Sequence, residues 1–268
     1  MLRGETVVES FDPADRGLGY GDGVFETLRI HAGAAVWWDA HWARLCRGAE
    51  ALGFAPPQVS TVRRHAQDLL RTAPADGVLK IIVTRGTGGR GYAPACTPEP
   101  GVIFSTHPLS ATPPVVDLRW CRMRWAAQPR LAGFKHLNRL EQVLARAEWD
   151  DPDVFDGIVL GIDGCVISAT SANVFARIGD EWLTPPVDAC GIAGLMRAWV
   201  LECEPGARVE PLTPAQLLAA DAIFVCNAVR GILPVRRLGD REWSPHPAVA
   251  RLRRRLADAE PAFDCRET

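Results

Sequence analysis

The chain carries, from residue 16 to residue 30, the sequence Arg16-Gly17-Leu18-Gly19-Tyr20-Gly21-Asp22-Gly23-Val24-Phe25-Glu26-Thr27-Leu28-Arg29-Ile30. Its second half, Gly23–Ile30, is rich in β-branched and aromatic residues and predicts a β-strand. The segment Ala34–Trp38 follows across His31-Ala32-Gly33 and predicts the partner strand of a hairpin. Strand-like and helix-like patterns continue to alternate beyond this hairpin, which favours an α/β fold.

The remainder of the first half predicts two helices and another strand. Asp39 is the expected N-cap of a helix through Ala40 to Leu52, and a second helix near Thr61–Thr72 precedes a strand at Val78–Thr84. The proline-rich stretch Pro108–Pro114 then indicates a linker. We therefore expect a smaller N-terminal α/β domain (1–110), a linker (111–116) and a larger C-terminal domain (117–268).

The second half predicts a helix and several short strands. The helix runs from about Asn138 to Trp149, with apolar positions at Leu140, Val143, Leu144 and Ala147. The strands are predicted at residues 157–162, 166–167, 173–178 and 222–225.

The composition is that of an ordinary globular protein, with 47% hydrophobic residues, 23% charged residues and a net charge of -2. Because no field of one sign is present, neither nucleic acid nor a membrane surface is an expected partner. No stretch reaches the roughly 18 apolar residues of a membrane span, and no signal-peptide core follows Met1, so we expect a cytoplasmic protein. The eight cysteines form no CxxC pair, and we expect no metal.

Only two lysines, Lys80 and Lys135, occur among the 30 lysine and arginine residues. Arginine cannot serve as a neutral amine, whereas a desolvated lysine can attack a carbonyl carbon, so each lysine is a candidate for chemistry. Lys80 lies in a strand-like run and is interpreted as structural, with its stem beside the strand and its amine in water. Lys135 stands between apolar residues and Gly133, just ahead of a helix, where we expect a reactive amine.

Two glycine-containing turns are candidate anion sites. In Thr84–Tyr92, Arg85 or Arg90 could hold a carboxylate through paired hydrogen bonds, or the segment could be a solvated turn. It lacks the Gly-Lys-Ser/Thr of a P-loop. The turn at Cys190–Gly194 opens a helix whose first N–H groups favour phosphate, or it is only a helix entry. Arg44 is a further candidate, or a solvated helical arginine.

Six segments, in this order along the chain, resemble those of the fold type IV family of pyridoxal phosphate enzymes. They are Arg16–Thr27, His41–Leu45, Lys135–Asn138, Ala172–Phe175, Gly191–Gly194 and Cys226–Ala228. The family includes branched-chain and D-amino acid aminotransferases and 4-amino-4-deoxychorismate lyases. The segments Arg85–Tyr92, Lys135–Leu144 and Phe224–Ala228 are most similar to the lyases. The resemblance implies a two-domain α/β fold with the cofactor between the domains, and a homodimer.

The resemblance also implies roles for individual residues. Lys135 would bond the aldehyde of pyridoxal 5'-phosphate and later serve as a base, and Thr27 would be a second catalytic residue. Arg90, Tyr92 and Thr27 would contact the small-molecule substrate. The remaining cofactor contacts would be Arg44, Ser168, Asn173, the backbone of Ile192 and Ala193, Asn227 and Ala228.

One position departs from the family pattern Gly-x-Val-x-Glu-x-x-x-x-Asn. Here the segment is Gly164-Cys165-Val166-Ile167-Ser168-Ala169-Thr170-Ser171-Ala172-Asn173, so Ser168 replaces the glutamate that bonds the pyridine nitrogen. A hydroxyl cannot keep that nitrogen protonated, so the ring becomes a weaker electron sink. Compensation by Thr170 or by a water, and a disabled site, are the alternatives.

The reaction implied by the resemblance is elimination of pyruvate from 4-amino-4-deoxychorismate to give 4-aminobenzoate, a step toward folate. Because this elimination creates an aromatic ring, a weak electron sink is sufficient, and Ser168 favours elimination over transamination. One alternative is an aminotransferase acting on D-amino or branched-chain amino acids, since the fold is shared. The other is a catalytically silent homologue that holds a ligand or serves as a scaffold.

Overall fold

The computed structural model describes residues 1–88, 91–94 and 99–264, and the chain forms two compact units. The first comprises Met1–Ser110 with Phe134–Asn138, and the second comprises Ala111–Gly133 with Arg139–Thr268. The segment around Lys135 thus groups with the first unit, although the sequence-based division assigned it to the C-terminal domain. The reason is backbone pairing, because the Phe25 N–H donates to the Lys135 carbonyl and the Leu137 N–H to the Gly23 carbonyl, both at 2.9 Å.

The first unit is an antiparallel six-stranded sheet with strand order β2-β1-β6-β5-β3-β4. Its strands are β1 (Leu2–Arg3), β2 (Thr6–Val7), β3 (Gly23–His31), β4 (Ala34–Ala35), β5 (Gly77–Thr84) and β6 (Gly101–His107), and its helices are α1 (Arg16–Tyr20), α2 (Trp38–Ala51) and α3 (Val59–Leu70). The hairpin of β3 and β4 confirms the sequence prediction, although β4 has only two residues. Asp39 is not the N-cap: Trp37 precedes α2 in a left-handed conformation, and Asp39 lies in the first turn.

The alternation of side chains along β3 and β5 separates two faces of this sheet. One face is buried together with residues of α2 and α3, and its apolar members on the two strands are Val24, Leu28, Ile30, Leu79, Ile81 and Val83. Glu26 has the same parity and is buried on that face. Phe25, Thr27 and Lys80 occupy the other, half-buried face, with Thr27 directly paired with Lys80. We call this second surface the open face.

The second unit is built on a mixed nine-stranded sheet, in which β7 pairs in parallel with both β8 and β14. Its strands are β7 (Val116–Trp125), β8 (Asp156–Gly161), β9 (Val166–Ala169), β10 (Asn173–Ile178), β11 (Glu181–Thr184), β12 (Arg208–Val209), β13 (Ala222–Asn227), β14 (Gly231–Leu238) and β15 (Arg241–Glu242), and its helices are α4 (Leu140–Arg146), α5 (Leu195–Cys203), α6 (Pro214–Ala219) and α7 (Pro247–Ala259). Among the described residues, no helix is long and apolar enough to cross a membrane.

Helix α4 directs its apolar face outward. Leu140, Val143 and Leu144, which served to predict this helix, are 75%, 58% and 57% exposed, whereas Ala145 is fully buried. The helix is also shorter than the predicted 138–149. The periodic apolar residues therefore do not form the core face that such a pattern usually indicates.

Candidate active site

Lys135 lies beside the N-terminal half of β3, above an aromatic ring of the open face. Its Nζ is 4.3 Å from the centroid of the Phe25 ring, and the Nζ of Lys80 is 5.5 Å from the same centroid. Both lysines of the chain thus flank one ring. The sequence interpretation treated Lys80 as structural and missed this proximity, although the parity it shares with Thr27 across β3 and β5 is a signal for it.

Thr27 is two residues after Phe25 and therefore lies on the same side of β3. Thr27 is half-buried and pairs directly with Lys80, and the amines of both lysines lie near the Phe25 ring on the same surface. Such a surface can bind an anionic molecule through Lys80 and can exchange protons through Lys135 and Thr27. Thr27 and Lys135, whose roles the family resemblance implies, are thus both located at the open face.

Arg44 is engaged by a buried carboxylate that the sequence analysis did not identify. Its Nε donates to Glu26 Oε1 at 2.7 Å and its Nη2 to Glu26 Oε2 at 2.6 Å, and His41 Nδ1 lies 2.6 Å from the same Oε2. All three side chains are at least nine-tenths buried. We call this cluster the Glu26 triad. A phosphate contact by Arg44 remains a prediction.

Burial acts on the pKa of each acid–base group in the Glu26 triad. For Glu26, burial alone would raise the pKa, but the charge and hydrogen bonds of Arg44, together with the hydrogen bond of His41, lower it to about 2. For His41, burial together with the charges of Arg44 and Lys135 lowers the pKa, although the hydrogen bond and charge of Glu26 act in the opposite direction. The triad is therefore an ionised carboxylate held by Arg44 and a neutral imidazole.

Acid should remove the stabilisation supplied by the Glu26 triad. Because the Glu26 pKa is about 2 in the fold and 4.5 ordinarily, the carboxylate contributes stability that is complete above about pH 4.5 and is lost as the pH falls toward 2. We expect the free energy of unfolding, measured in urea, to decrease across this window more steeply for the parent than for Glu26→Leu/Arg44→Met. Equal pH slopes would contradict the assignment.

The start of the glycine-rich loop after β5 is held by the buried side chain of Arg85. Arg85 Nε donates to Asp22 at 2.7 Å, and its Nη atoms donate to the carbonyls of Leu52 and Gly53 just after α2. Arg85 thus supports the fold, and the alternative that it binds a substrate carboxylate was wrong. Tyr92, the other predicted substrate contact, is 87% exposed. Arg90 lies outside the described residues.

The predicted phosphate turn precedes helix α5. Ala193 donates its N–H to the Gly133 carbonyl, and Gly133 donates to the Gly191 carbonyl, both at 3.0 Å. The side chain of Asn173 donates to the Ile192 carbonyl at 3.0 Å, and a Cβ at Gly194 would come within 2.1 Å of the Asn173 Oδ1. Asn173 therefore shapes this turn, and a phosphate would compete with Gly133 for the N–H of Ala193.

Ser168 is buried on β9, and its hydroxyl donates to the Ala169 carbonyl at 2.8 Å. The nearby carboxylate of Asp156 accepts from the backbone N–H groups of Gly157, Thr170 and Ser171 and from the hydroxyls of Thr170 and Ser171. The hydroxyl of Thr170, considered as a substitute for the missing glutamate, is therefore committed to Asp156 at 2.5 Å.

Asn227, at the end of β13, organises the turn that follows it. Its Oδ1 accepts from the N–H groups of Val229 and Arg230 at 3.0 and 2.9 Å, and its Nδ2 donates to the Ser171 carbonyl at 3.3 Å. Ala228 is buried within this turn. Asn227 therefore contacts the backbone at Ser171, whereas the contact of Asn227 and Ala228 with a cofactor phosphate remains a prediction.

Arg197 in the first turn of α5 supports the presence of an anion site there. It is only 8% exposed, its Nη2 donates to the Pro185 carbonyl, and its Nε has no hydrogen-bond partner among the described residues. A cation at the N-terminal end of a helix is opposed by the helix dipole. The negative charge of a bound phosphate would compensate both the charge of Arg197 and the positive end of the helix dipole. The residues of the turn therefore fit a phosphorylated cofactor. Arg197 was not among the residues predicted from the sequence.

Comparisons with known proteins show the family to which the chain belongs. The family model described as "Amino-transferase class IV" matches residues 23–238. An aminodeoxychorismate lyase of Vibrio harveyi is 36% identical over 90% of this chain and 92% of its own length. A crystal structure of 4-amino-4-deoxychorismate lyase from Pseudomonas aeruginosa shares 39% identity and superposes with a TM-score of 0.88 over 96% of this chain and 97% of that one. A D-alanine aminotransferase of Bacillus licheniformis is 28% identical over 88% of this chain and 84% of its own length.

Proposed function

The chain belongs to the class IV aminotransferase family, and we propose that within this family it acts as an aminodeoxychorismate lyase. It would eliminate pyruvate from 4-amino-4-deoxychorismate and leave 4-aminobenzoate. The observation that carries the proposal is the open face, where Lys135, Thr27 and Lys80 lie around Phe25. The similarity to lyases along nearly the whole chain supports it.

The cofactor would be pyridoxal 5'-phosphate. Lys135 would bond its aldehyde, and Ser168 would lie beside its pyridine nitrogen. The phosphate would contact the turn before α5 together with Arg44, Asn227 and Ala228. When bound, this cofactor supplies an electron-accepting ring that is conjugated with the amino-bearing carbon of the substrate.

The residues of the open face account for the proton movements of the elimination. The amine of Lys135 takes the proton from the ring carbon that bears nitrogen, and the bond between the ring and the enolpyruvyl oxygen breaks with its electrons on oxygen. Thr27, or a water beside it, gives a proton to the departing enolpyruvate, which becomes pyruvate. Lys80 and Arg90 supply positive charge for the substrate carboxylates. Aromatisation of the ring drives the reaction forward.

The direct test is to mix purified protein, pyridoxal phosphate and aminodeoxychorismate. We expect 4-aminobenzoate and pyruvate to appear in equal amounts. Release of a keto acid from an amino donor, without 4-aminobenzoate, would identify an aminotransferase instead. That second candidate is supported by the similarity to D-alanine aminotransferase, and the hydroxyl at position 168 argues against it.

Ser168→Glu is expected to shift the protein from elimination toward transamination. If residue 168 meets the pyridine nitrogen, a carboxylate would keep that nitrogen protonated and strengthen the electron sink. The ratio of the half-transamination rate to the elimination rate should therefore rise. Because Ser168 is buried, the larger side chain could cost about 1–3 kcal/mol of stability, so cofactor content is measured beside both rates.

Ser168→Gln is the matched control for this variant, because it adds nearly the same volume without a charge. A ratio that rises equally in both variants would assign the effect to size. A Ser168→Glu protein that holds its full cofactor and keeps the parental ratio would show that position 168 does not influence the type of reaction.

We propose that the protein is a homodimer that uses the outward apolar face of α4. Leu140, Val143 and Leu144 form a continuous apolar stripe on a short helix, which a second copy could cover. Leu144→Glu should lower the mass measured by light scattering to that of one chain. Val209→Glu, at an exposed apolar residue of β12, is the control and should leave the mass unchanged. A Leu144→Glu protein of unchanged mass would exclude this face from the interface.

A further inference from the structure

The side chain of Arg16, the first residue of α1, is hydrogen-bonded to the backbone of residues 91–93, at the end of the glycine-rich loop that follows β5. The side chain is 5% exposed. Its Nη1 donates to the carbonyls of Gly91 and Ala93 at 3.0 and 3.4 Å, and its Nη2 donates to the carbonyl of Tyr92 at 2.9 Å. Three consecutive backbone carbonyls therefore turn toward one guanidinium, which a lysine could not serve with the same geometry.

The guanidinium is itself fixed by its other contacts. Its Nε donates to Asp22 Oδ2 at 2.8 Å, and the same oxygen accepts from Arg85. The hydrogen bonds and charges of the two arginines outweigh burial and lower the pKa of Asp22. The backbone N–H of Arg16 donates to the Gly86 carbonyl at 3.0 Å. A Cβ at Gly88 would come within 2.7 Å of the Arg16 Cδ, so the loop passes close to the arginine stem.

An aromatic pair lies directly outside this arrangement. The Arg16 guanidinium carbon is 4.8 Å from the centroid of the Tyr20 ring, and the Tyr20 ring is 5.7 Å from the Tyr92 ring, tilted by 58°. These are the only two tyrosines of the chain. Tyr92 is nevertheless 87% exposed.

We propose that Arg16 is a positioning residue: it fixes the carbonyls of residues 91–93 and thereby presents Tyr92 to the substrate. The role for Tyr92 rests on the proposed function, whereas the hold on the loop rests on geometry alone. Arg16 itself reaches neither the open face nor the substrate by any of these contacts, and acts through the loop backbone. The ion pair with Asp22 accounts for a role of Arg16 in folding. The contacts with three carbonyls are additional to that ion pair, and they carry the positioning role.

The first experiment measures the loop without reference to activity. Arg16→Lys keeps the charge beside Asp22 but loses the fork that serves three carbonyls. We expect limited trypsin digestion at the Arg90–Gly91 bond, and amide exchange at residues 91–93, to accelerate on the order of tenfold, the size of one lost charged hydrogen bond. Arg119→Met, which removes another arginine that donates to a carbonyl and lies over a Trp ring, is the control and should leave both rates unchanged.

The second experiment measures substrate use by the holoenzyme. Arg16→Lys should raise KM for aminodeoxychorismate several-fold with kcat little changed, and this increase should vanish when the variant is made in a Tyr92→Ala background. Unchanged cleavage and exchange in a folded Arg16→Lys protein would overturn the proposal. Faster cleavage without lyase activity in the parent would instead overturn the proposed function and leave the loop assignment standing. An increase in KM that persists beside Tyr92→Ala would show that Arg16 does not act through Tyr92.

Discussion

Lys135→Ala is expected to abolish turnover completely. The side chain would provide both the amine that holds the cofactor and the base that removes the substrate proton, and arginine could not replace it because its guanidinium does not deprotonate. Alanine also leaves the backbone pairing of residue 135 with Phe25 in place. We therefore expect a folded protein with unchanged circular dichroism and no formation of 4-aminobenzoate, measured by its fluorescence.

Lys80→Arg is the matched control, since it keeps the positive charge opposite Thr27 and should leave turnover nearly intact. Borohydride reduction of the holoenzyme followed by peptide mapping provides an independent measurement, and the label should be on Lys135. Both lysines lie within 6 Å of the same ring, so the position of the label decides which of them bonds the cofactor. A label on Lys80 would reverse the two assignments.

Arg44→Ala is expected to have the second largest effect, because it acts on both stability and cofactor binding. Removing the guanidinium leaves the Glu26 carboxylate charged within a buried face, and breaking a buried pair in this way typically costs about 3–5 kcal/mol. We expect the urea midpoint to fall accordingly, and the dissociation constant for pyridoxal phosphate to rise.

A double variant separates these two consequences. Glu26→Leu/Arg44→Met replaces the buried pair by apolar side chains of similar size, which is often close to neutral for stability. It should recover most of the unfolding free energy lost in Arg44→Ala, yet bind pyridoxal phosphate as weakly as the single variant does. A double variant that regains both properties would show that Arg44 serves only Glu26 and does not bind the cofactor.

The Glu26 triad was not predicted, although the sequence contains the patterns that indicate it. The strand from Gly23 to Ile30 was predicted, and its parity places Glu26 on the same side as Val24 and Leu28, which form the core. A carboxylate in that register needs a cation, and His41 and Arg44, three residues apart on the following helix, share one helical face. Combining the two periodicities would have identified the triad before the fold was known.

The role of Arg16 shows the opposite case. Seventy-five residues separate it from Gly91, and no periodic pattern relates a helix start to the carbonyls of a distant loop. The exposure of α4 was likewise beyond reach, because an apolar stripe indicates burial without saying whether the covering surface belongs to the same chain or to a second one. Local patterns therefore predicted many of the elements and singled out Lys135 as a candidate, whereas the contacts of Arg16 with the loop required the tertiary structure.

We expect the turn at residues 170–171, which Asp156 organises, to be insensitive to ionic strength. The Asp156 carboxylate accepts from five neutral donors and is 2% exposed, so added salt has little charge–charge attraction to screen. The half-buried amine of Lys80 on the open face would attract a substrate with two carboxylates by a long-range field that salt does weaken. Raising the salt concentration at saturating cofactor should therefore increase KM for that substrate while the turn next to Ser168 keeps its shape.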